Sequence, residues 1–155
     1  MVLVFLTDRS EELNYSRLLN NSLGNTKWRI VDQEKSIKGS EKALLLIGSQ
    51  SQKSKDKRKK ELEKIFKKAI ENNLKIIGIE YGMFLVNEML GGGEPFKNVQ
   101  ESSEIFIGLG TKLANIIGGS GNVKVLFERT YAIEMKKKAN SLQASAININ
   151  TGFIE

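Results

Sequence analysis

Short runs dominated by apolar residues alternate with amphipathic segments through the first half of the chain. The runs have the length and pattern of strands that are buried on both faces of a sheet. Helical spacing of apolar residues predicts a helix that ends at Gly24 and a second helix over about 56–72. Strands that alternate with helices pair in parallel through right-handed crossovers. The predicted strands are Val2–Leu6, Trp28–Val31, Ala43–Ile47 and Lys75–Ile79.

This alternation predicts an α/β fold: a three-layer sandwich with a mostly parallel central sheet of the flavodoxin-like kind. The second half of the chain has a different pattern, in which apolar segments are separated by glycine-containing turns, as in β-rich structures. We interpret 118–121 as a flexible hairpin turn. The length of 155 residues fits a single domain over 1–155. The predicted strands of this half are Ile105–Leu109, Val123–Glu128, Tyr131–Met135, Ala144–Ile149 and Phe153–Ile154.

Two residue types are missing from the chain, because it contains no Cys and no His. Their absence excludes disulfides, Cys/His zinc sites, thiolate nucleophiles and histidine-based proton transfer. No metal ligand pattern or cofactor motif stands out in the sequence, and we predict neither. The function must therefore depend on carboxylates, amines, hydroxyls and amides, or on binding alone.

The most specific motif is a strand that leads directly into a helix around Glu80. Gly78 and Gly82 flank this residue in the pattern G-x-E-x-G. In a nucleophile elbow, small residues flank a side chain that is held on a sharp turn between a strand and a helix. The central side chain then projects at a helix N-terminus, where the helix dipole favours negative charge.

The segment Gly78–Gly93 resembles the nucleophile elbow of class I glutamine amidotransferases, especially the GMP synthetase type. Gly48 and Ser49, after a predicted strand, resemble the loop that forms the oxyanion hole in those enzymes. Val125–Glu134 is similar, more weakly, to the glutaminase domain of CTP synthases. The resemblance implies a class I amidotransferase-like fold. It also implies a remnant pocket formed by Gly48, Ser49, Gly78, Glu80, Tyr81, Gly82 and Phe84.

The sequence departs from the family at the positions that carry the chemistry. The nucleophilic cysteine of the family falls on Glu80, and the glutamine after its Gly-Met falls on Phe84. Its catalytic His-Pro-Glu would lie just beyond Glu155. Removing members of a catalytic triad leaves only residual catalysis. We therefore predict a catalytically inactive domain that binds a protein partner or a small ligand, with Phe84 filling the former glutamine pocket.

Three roles for Glu80 remain open. It is a carboxylate nucleophile if the chain is a hydrolase, but an ester intermediate then needs an activated water. Glu101 and Glu104 are candidate bases that nothing in the sequence positions. Alternatively, Glu80 caps the N-terminus of the following helix. In the third role it accepts hydrogen bonds from the amine of a ligand.

Nine lysine and arginine residues lie between positions 53 and 68. Such a cluster can contact phosphates, so a nucleic-acid-binding protein is an alternative function. The other interpretation is a solvated helix face, because Glu61–Lys64 and Glu63–Lys67 have the spacing of favourable helical ion pairs. The candidate anion-binding residues are Lys53, Lys55, Lys57, Arg58, Lys59, Lys60 and Lys64.

Composition also limits location and partners. The formal net charge of +6 favours anionic ligands. No apolar run approaches the ~20 residues that a membrane-spanning helix requires, and the first residues lack the basic start of a signal peptide. We predict a cytoplasmic protein without a membrane partner. It binds another protein or a second copy of itself, or an anionic ligand or nucleic acid.

Overall fold

The structure is a computed structural model that describes residues 1–48, 55–97, 104–126 and 131–155. Within these ranges, the side chains at 55–57 and 97 are not described. The predictions for Ser49, Lys53 and Glu101, and for the side chains of Lys55 and Lys57, therefore lie outside the described residues. The chain forms two compact units, Met1–Met89 and Leu90–Glu155.

The described part of the first unit contains a parallel sheet of the strands β1 (Val2–Leu6), β2 (Trp28–Ile30), β3 (Ala43–Gly48) and β4 (Lys75–Glu80), in the spatial order β2-β1-β3-β4. Each strand pairs in parallel with its neighbours, which is the pairing that the alternating pattern predicts. The α/β prediction is confirmed. The α-helices described in this unit are α1 (Glu12–Leu23), α2 (Lys55–Glu71) and α3 (Tyr81–Met89).

Helices cover both faces of this sheet. Leu19 and Tyr15 of α1 pack on one face, against a cluster that includes Val4 and Leu45. On the opposite face, the guanidinium of Arg58 in α2 lies 4.4 Å from the centre of the Phe5 ring. Helix α3 packs on the same face, beside Leu46 of β3. Alternate residues of a strand point to opposite faces, so the continuous apolar runs give three layers.

Two helix starts differ from the sequence expectation. Ser10, followed by two acidic residues, has the pattern of a helix N-cap. The Asp8 side chain instead accepts the N–H of Ser10, and a 3₁₀ turn, Arg9–Glu11, precedes α1. The mainly apolar residues 83–90 predict a helix after β4 that begins near Met83. It begins at Tyr81, directly after the strand, because the glycines at 78 and 82 allow a turn with no intervening loop.

The second unit is built on an antiparallel sheet of the strands β5 (Phe96–Lys97), β6 (Glu104–Ile107), β7 (Gly121–Lys124), β8 (Tyr131–Glu134), β9 (Ala146–Asn148) and β10 (Phe153–Ile154). Their spatial order is β5-β8-β10-β9-β6-β7. All of its described strand pairs are antiparallel. The β-rich second half is therefore confirmed, and in the described residues it forms a sheet separate from the parallel one. The α-helix described in this unit is α4 (Lys112–Ile117), which lies between β6 and β7 in the chain.

The expected hairpin turn at 118–121 is wrong. A helix, α4, precedes these glycines, and Gly118 ends it with a φ of 87° and an N–H that donates to the Ala114 carbonyl. Thr111 begins the helix by accepting the N–H of Ala114 at 3.2 Å. A helix of six residues is too short to show an apolar period of 3.6, so only its capping residues signalled it.

Among the residues described, none of the helices combines the length and the apolar character needed to cross a membrane.

Candidate functional site

Glu80 lies at a strained turn between β4 and α3. Its backbone φ is +53°, in the left-handed region that costs a residue with a Cβ roughly 1–2 kcal/mol. The strand ends at Glu80 and the helix begins at Tyr81. The surrounding structure must hold this conformation, because strained backbone persists only where its neighbours fix it.

Three glycines make the turn possible by allowing backbone segments to approach closely. A methyl carbon at Gly82 would lie 2.0 Å from the Leu46 carbonyl oxygen, and one at Gly78 would lie 2.5 Å from the Gly82 oxygen. A methyl carbon at Gly48 would lie 2.4 Å from the Tyr81 Cβ. No side chain fits at such distances. The glycines expected at the remnant pocket thus pack β3, β4 and α3 against one another.

Tyr15 is a residue of this site that the sequence analysis missed. Its hydroxyl donates a hydrogen bond of 2.7 Å to Glu80 Oε2. Burial, and secondly this hydrogen bond to the carboxylate, raise the pKa of the Tyr15 hydroxyl above its ordinary value. Tyr15 therefore keeps its proton at neutral pH and acts as a donor. Its helical spacing from Leu19 places it on the sheet side of α1, but no sequence signal links it to Glu80.

The remaining elbow residues of α3 are buried. Tyr81 is 4% exposed and Phe84 is 7% exposed, and their rings meet edge to face with centroids 5.5 Å apart. Asn87 follows on the same helix and is also buried. The structure places Phe84 among core residues. Its filling of a former ligand pocket stays a prediction.

The described cations of the basic segment do not form one surface. Arg58 donates hydrogen bonds to the Leu6 carbonyl and to Asp32, while its guanidinium covers the Phe5 ring. Lys59 forms an ion pair with Glu88 of α3. These two cations therefore bridge elements of the fold. Lys60 and Lys64 are exposed, and Lys64 pairs with Glu61 on the same helix at 3.4 Å.

Among the described side chains, no group of three Asp or Glu residues is arranged to hold a metal ion. The chemistry present at the elbow is one exposed carboxylate, one protonated phenol and the N-terminus of α3. This arrangement can accept hydrogen bonds from a ligand.

No protein-family model and no curated protein sequence matches the chain. Solved structures do match it. A protein described as a GMP synthase subunit, from Thermoplasma acidophilum, superposes with a TM-score of 0.63 over 96% of this chain and 74% of its own, at 17% identity. The glutaminase domain of the Trypanosoma brucei CTP synthase, solved with bound acivicin, gives 0.65 over 96% and 75%, at 14% identity.

A glutamine amidotransferase from Methylobacillus flagellatus gives a TM-score of 0.67 at 11% identity, over 96% of this chain and 61% of its own. The chain has the fold of a class I glutamine amidotransferase. The fold predicted from the resemblance is confirmed. The chain spans 61% of the Methylobacillus structure and about three quarters of the other two. At sequence identities of 11–17%, the similarity shows a shared fold and does not show a shared reaction.

Proposed function

We propose that this amidotransferase-like chain has no glutaminase activity and acts in the cytoplasm by binding a small ligand or a protein partner. The observation that carries the proposal is Glu80, which occupies the strained strand-to-helix turn in a chain without Cys or His. The thiolate and its histidine base, on which glutaminase chemistry of this type depends, have no counterpart among the residue types present.

The partners of Glu80 argue against a carboxylate-dependent hydrolase. An ester formed on Glu80 would need a base that activates water. The described contact of the carboxylate is Tyr15, which donates a proton to it and has a raised pKa. A phenol that holds its proton at neutral pH does not remove one from water. A hydrolase built on Glu80 therefore lacks an identified base at this site.

The same contacts support a binding role. The Tyr15 hydroxyl donates its hydrogen bond to one carboxylate oxygen of Glu80, Oε2. Glu80 is exposed, so its carboxylate is accessible to a ligand. We propose that the carboxylate accepts hydrogen bonds from an amino group of the ligand or partner. A charge-assisted hydrogen bond of this kind is about twice as strong as a neutral one.

A glutaminase assay tests the catalytic half of the proposal. We expect no ammonia release above the rate in buffer from the purified chain, and none from the Glu80→Cys variant, because the cysteine would have no histidine to take its proton and to pass a proton to the leaving ammonia. Gly119→Ala serves as a matched control, since nothing lies within 4 Å of the added methyl carbon. Robust turnover by the unmodified chain would show that the proposal is wrong.

Titration with methylammonium and with uncharged acetamide tests the binding half. We expect methylammonium to shift the backbone amide resonances of Glu80 and Tyr81, and acetamide to leave them in place. In the Glu80→Gln variant the charge is lost, so the methylammonium shifts should shrink. Equal shifts in the variant would contradict a charge-dependent amine site.

Nucleic-acid binding through 53–68 is a second candidate function. The exposed side chains of Lys60 and Lys64 favour it, whereas Arg58 and Lys59 are engaged within the fold. Binding that weakens steeply with salt is the signature of phosphate contacts. A flat titration with single-stranded and duplex oligonucleotides at low salt would remove this candidate.

A further inference from the structure

An open, lysine-lined groove lies between the 3₁₀ turn Glu34–Ser36 and the C-terminal half of α2. Its volume is about 450 Å³, which is within the range of small-molecule sites. Four lysines and two glutamates line it, so its charge is positive. The lining residues are Glu34, Lys35, Ile37, Lys64, Lys67, Lys68 and Glu71. We propose that this groove binds a compact ligand that carries a chain of two or more phosphates.

The cations of the groove differ in how far they are neutralised. Lys64 pairs with Glu61 at 3.4 Å and Lys68 with Glu71 at 3.5 Å, and all four side chains are substantially exposed. Exposed ion pairs are worth about 0–1 kcal/mol, so an incoming anion can compete with them.

Lys35 and Lys67 have no ion-pair partner among the residues that the structure describes. They come from opposite walls of the groove: Lys35 from the 3₁₀ turn and Lys67 from α2. An anion between them would be attracted from both sides. We therefore assign these two lysines the largest share of the binding.

A buried ion pair holds the wall that carries Lys35. The Glu41 side chain is fully buried and accepts a hydrogen bond of 2.8 Å from Arg29 Nη2. The same Arg29 nitrogen donates to the Ser36 carbonyl, and the N–H of Lys38 donates to both carboxylate oxygens of Glu41. These hydrogen bonds fix the segment that carries Lys35 before any ligand binds, which reduces the entropic cost of ordering it on binding.

Helix geometry arranges the cations of the other wall. Lys64 and Lys68 are four residues apart, and Lys67 is three residues from Lys64, so these side chains lie on neighbouring turns of one face. The rise per turn is about 5.4 Å, a distance that flexible lysine side chains span when they contact adjacent phosphates. Lysine acts as a point charge toward phosphate and requires no fixed planar geometry.

The lining also indicates which phosphate ligand fits. It contains no aromatic residue, so it offers no platform on which successive nucleic-acid bases would stack. The limited dimensions favour a compact phosphate chain, such as inorganic tripolyphosphate or the phosphates of a nucleoside triphosphate. None of the lining residues belongs to the elbow, so the inference stands apart from the glutaminase question.

Calorimetric titration of the full chain with tripolyphosphate at low salt tests the inference. We expect the Lys35→Gln/Lys67→Gln variant to bind at least about tenfold more weakly, because both unneutralised cations are lost. The matched control is Lys112→Gln/Lys124→Gln, which removes the same charge from two exposed positions of the second unit. We expect the control to bind within about twofold of the unmodified chain.

Titrations with adenosine and with adenosine triphosphate distinguish the contribution of the phosphates to binding from that of the nucleoside. We expect adenosine not to bind and the triphosphate to respond to the two double variants as tripolyphosphate does. Amide shifts of the unmodified chain locate the site without any variant, and should be largest at Lys35, Ile37 and Lys67. Equal weakening by the control variant, shifts centred elsewhere, or absence of binding at millimolar tripolyphosphate would overturn the inference. So would an oligonucleotide that binds far more tightly per phosphate than tripolyphosphate.

Discussion

Glu80 has a backbone conformation that glycine adopts more easily. Its φ of +53° is strained for a residue with a Cβ. We expect Glu80→Gly to be more stable than Glu80→Ala by about 0.5–1 kcal/mol, because both variants lose the bond to Tyr15 and only glycine relieves the strain. Urea denaturation measures the difference. An alanine variant as stable as the glycine variant would show that the turn is unstrained.

The Tyr15–Glu80 hydrogen bond joins α1 to the elbow across 65 residues of sequence. A double-mutant cycle with Tyr15→Phe and Glu80→Ala should give a coupling energy of about 1 kcal/mol, since the donor is partly buried and the acceptor is charged. The free energies of unfolding of the two single variants and the double variant supply the cycle. Tyr15→Phe combined with Gly119→Ala is the additive control. A coupling near zero would mean that the bond contributes nothing to stability.

At the scale of elements, the glycines of β3, β4 and α3 act as one packing unit. A methyl carbon at Gly82 would lie 2.0 Å from a backbone oxygen of β3, and a backbone atom cannot move aside as a flexible side chain does. We expect Gly82→Ala to destabilise the fold by about 3 kcal/mol or more. Gly119→Ala, which meets no atom within 4 Å, should stay within about 0.5 kcal/mol of the unmodified chain. Thermal or urea unfolding distinguishes the two, and a stable Gly82→Ala variant would contradict this account of the turn.

Elements that bury continuous apolar runs were predictable from the sequence. Strand β1 was predicted with the bounds that the structure shows, and α2 within one residue, because burial on one or both faces leaves a periodic signal. Helix α4 left no such signal. The helical spacing of the apolar residues in α2 places Ile70 on its apolar face together with Leu62. Ile70 is nevertheless 49% exposed, because it lies about 80° around the helix from Leu62, at the margin of that face.

The site was predictable only where its requirement is local. The elbow requires Gly78 and Gly82 on either side of one residue, so their spacing in the sequence predicted it. Tyr15 and the two uses of Arg58 depend on which helix packs over which strand. Such pairings arise from the tertiary fold. The sequence pattern of a helical arginine in a basic segment is the same whether its guanidinium covers an aromatic ring or faces solvent.

On the scale of the whole molecule, the fold and the chemistry are separable. The described residues have the fold of amidotransferase structures, and the residue at the strained turn between β4 and α3 is a carboxylate. The glycines that shape the turn are required by packing whatever the central side chain is. The turn therefore serves the packing of the fold with any side chain at its centre, which is why its geometry alone does not assign a reaction.

The absence of histidine also sets how the stability of the whole chain depends on pH. Histidine is the side chain whose ordinary pKa places its charge change between pH 5 and 8, and the chain has none. We expect the free energy of unfolding to stay constant within about 0.5 kcal/mol between pH 6 and 9. Urea denaturation at intervals of half a pH unit measures it. A steep change near neutral pH would reveal a strongly perturbed group that this reasoning omits.

Below pH 5 the same curve should fall, and Glu41 identifies one cause. Burial alone would raise the pKa of this carboxyl, but the hydrogen bonds from Arg29 and from backbone N–H groups hold it below its ordinary value. The unfolded chain therefore takes up the proton first, and the stabilisation is lost as pH falls through the folded pKa. Glu41→Gln should lower the free energy of unfolding at neutral pH by about 2 kcal/mol. The loss of stability below pH 5 should also be less steep in this variant, because glutamine has no proton to gain. If the free energy of unfolding falls as steeply below pH 5 in the variant as in the unmodified chain, the loss of stability in acid comes from other carboxylates.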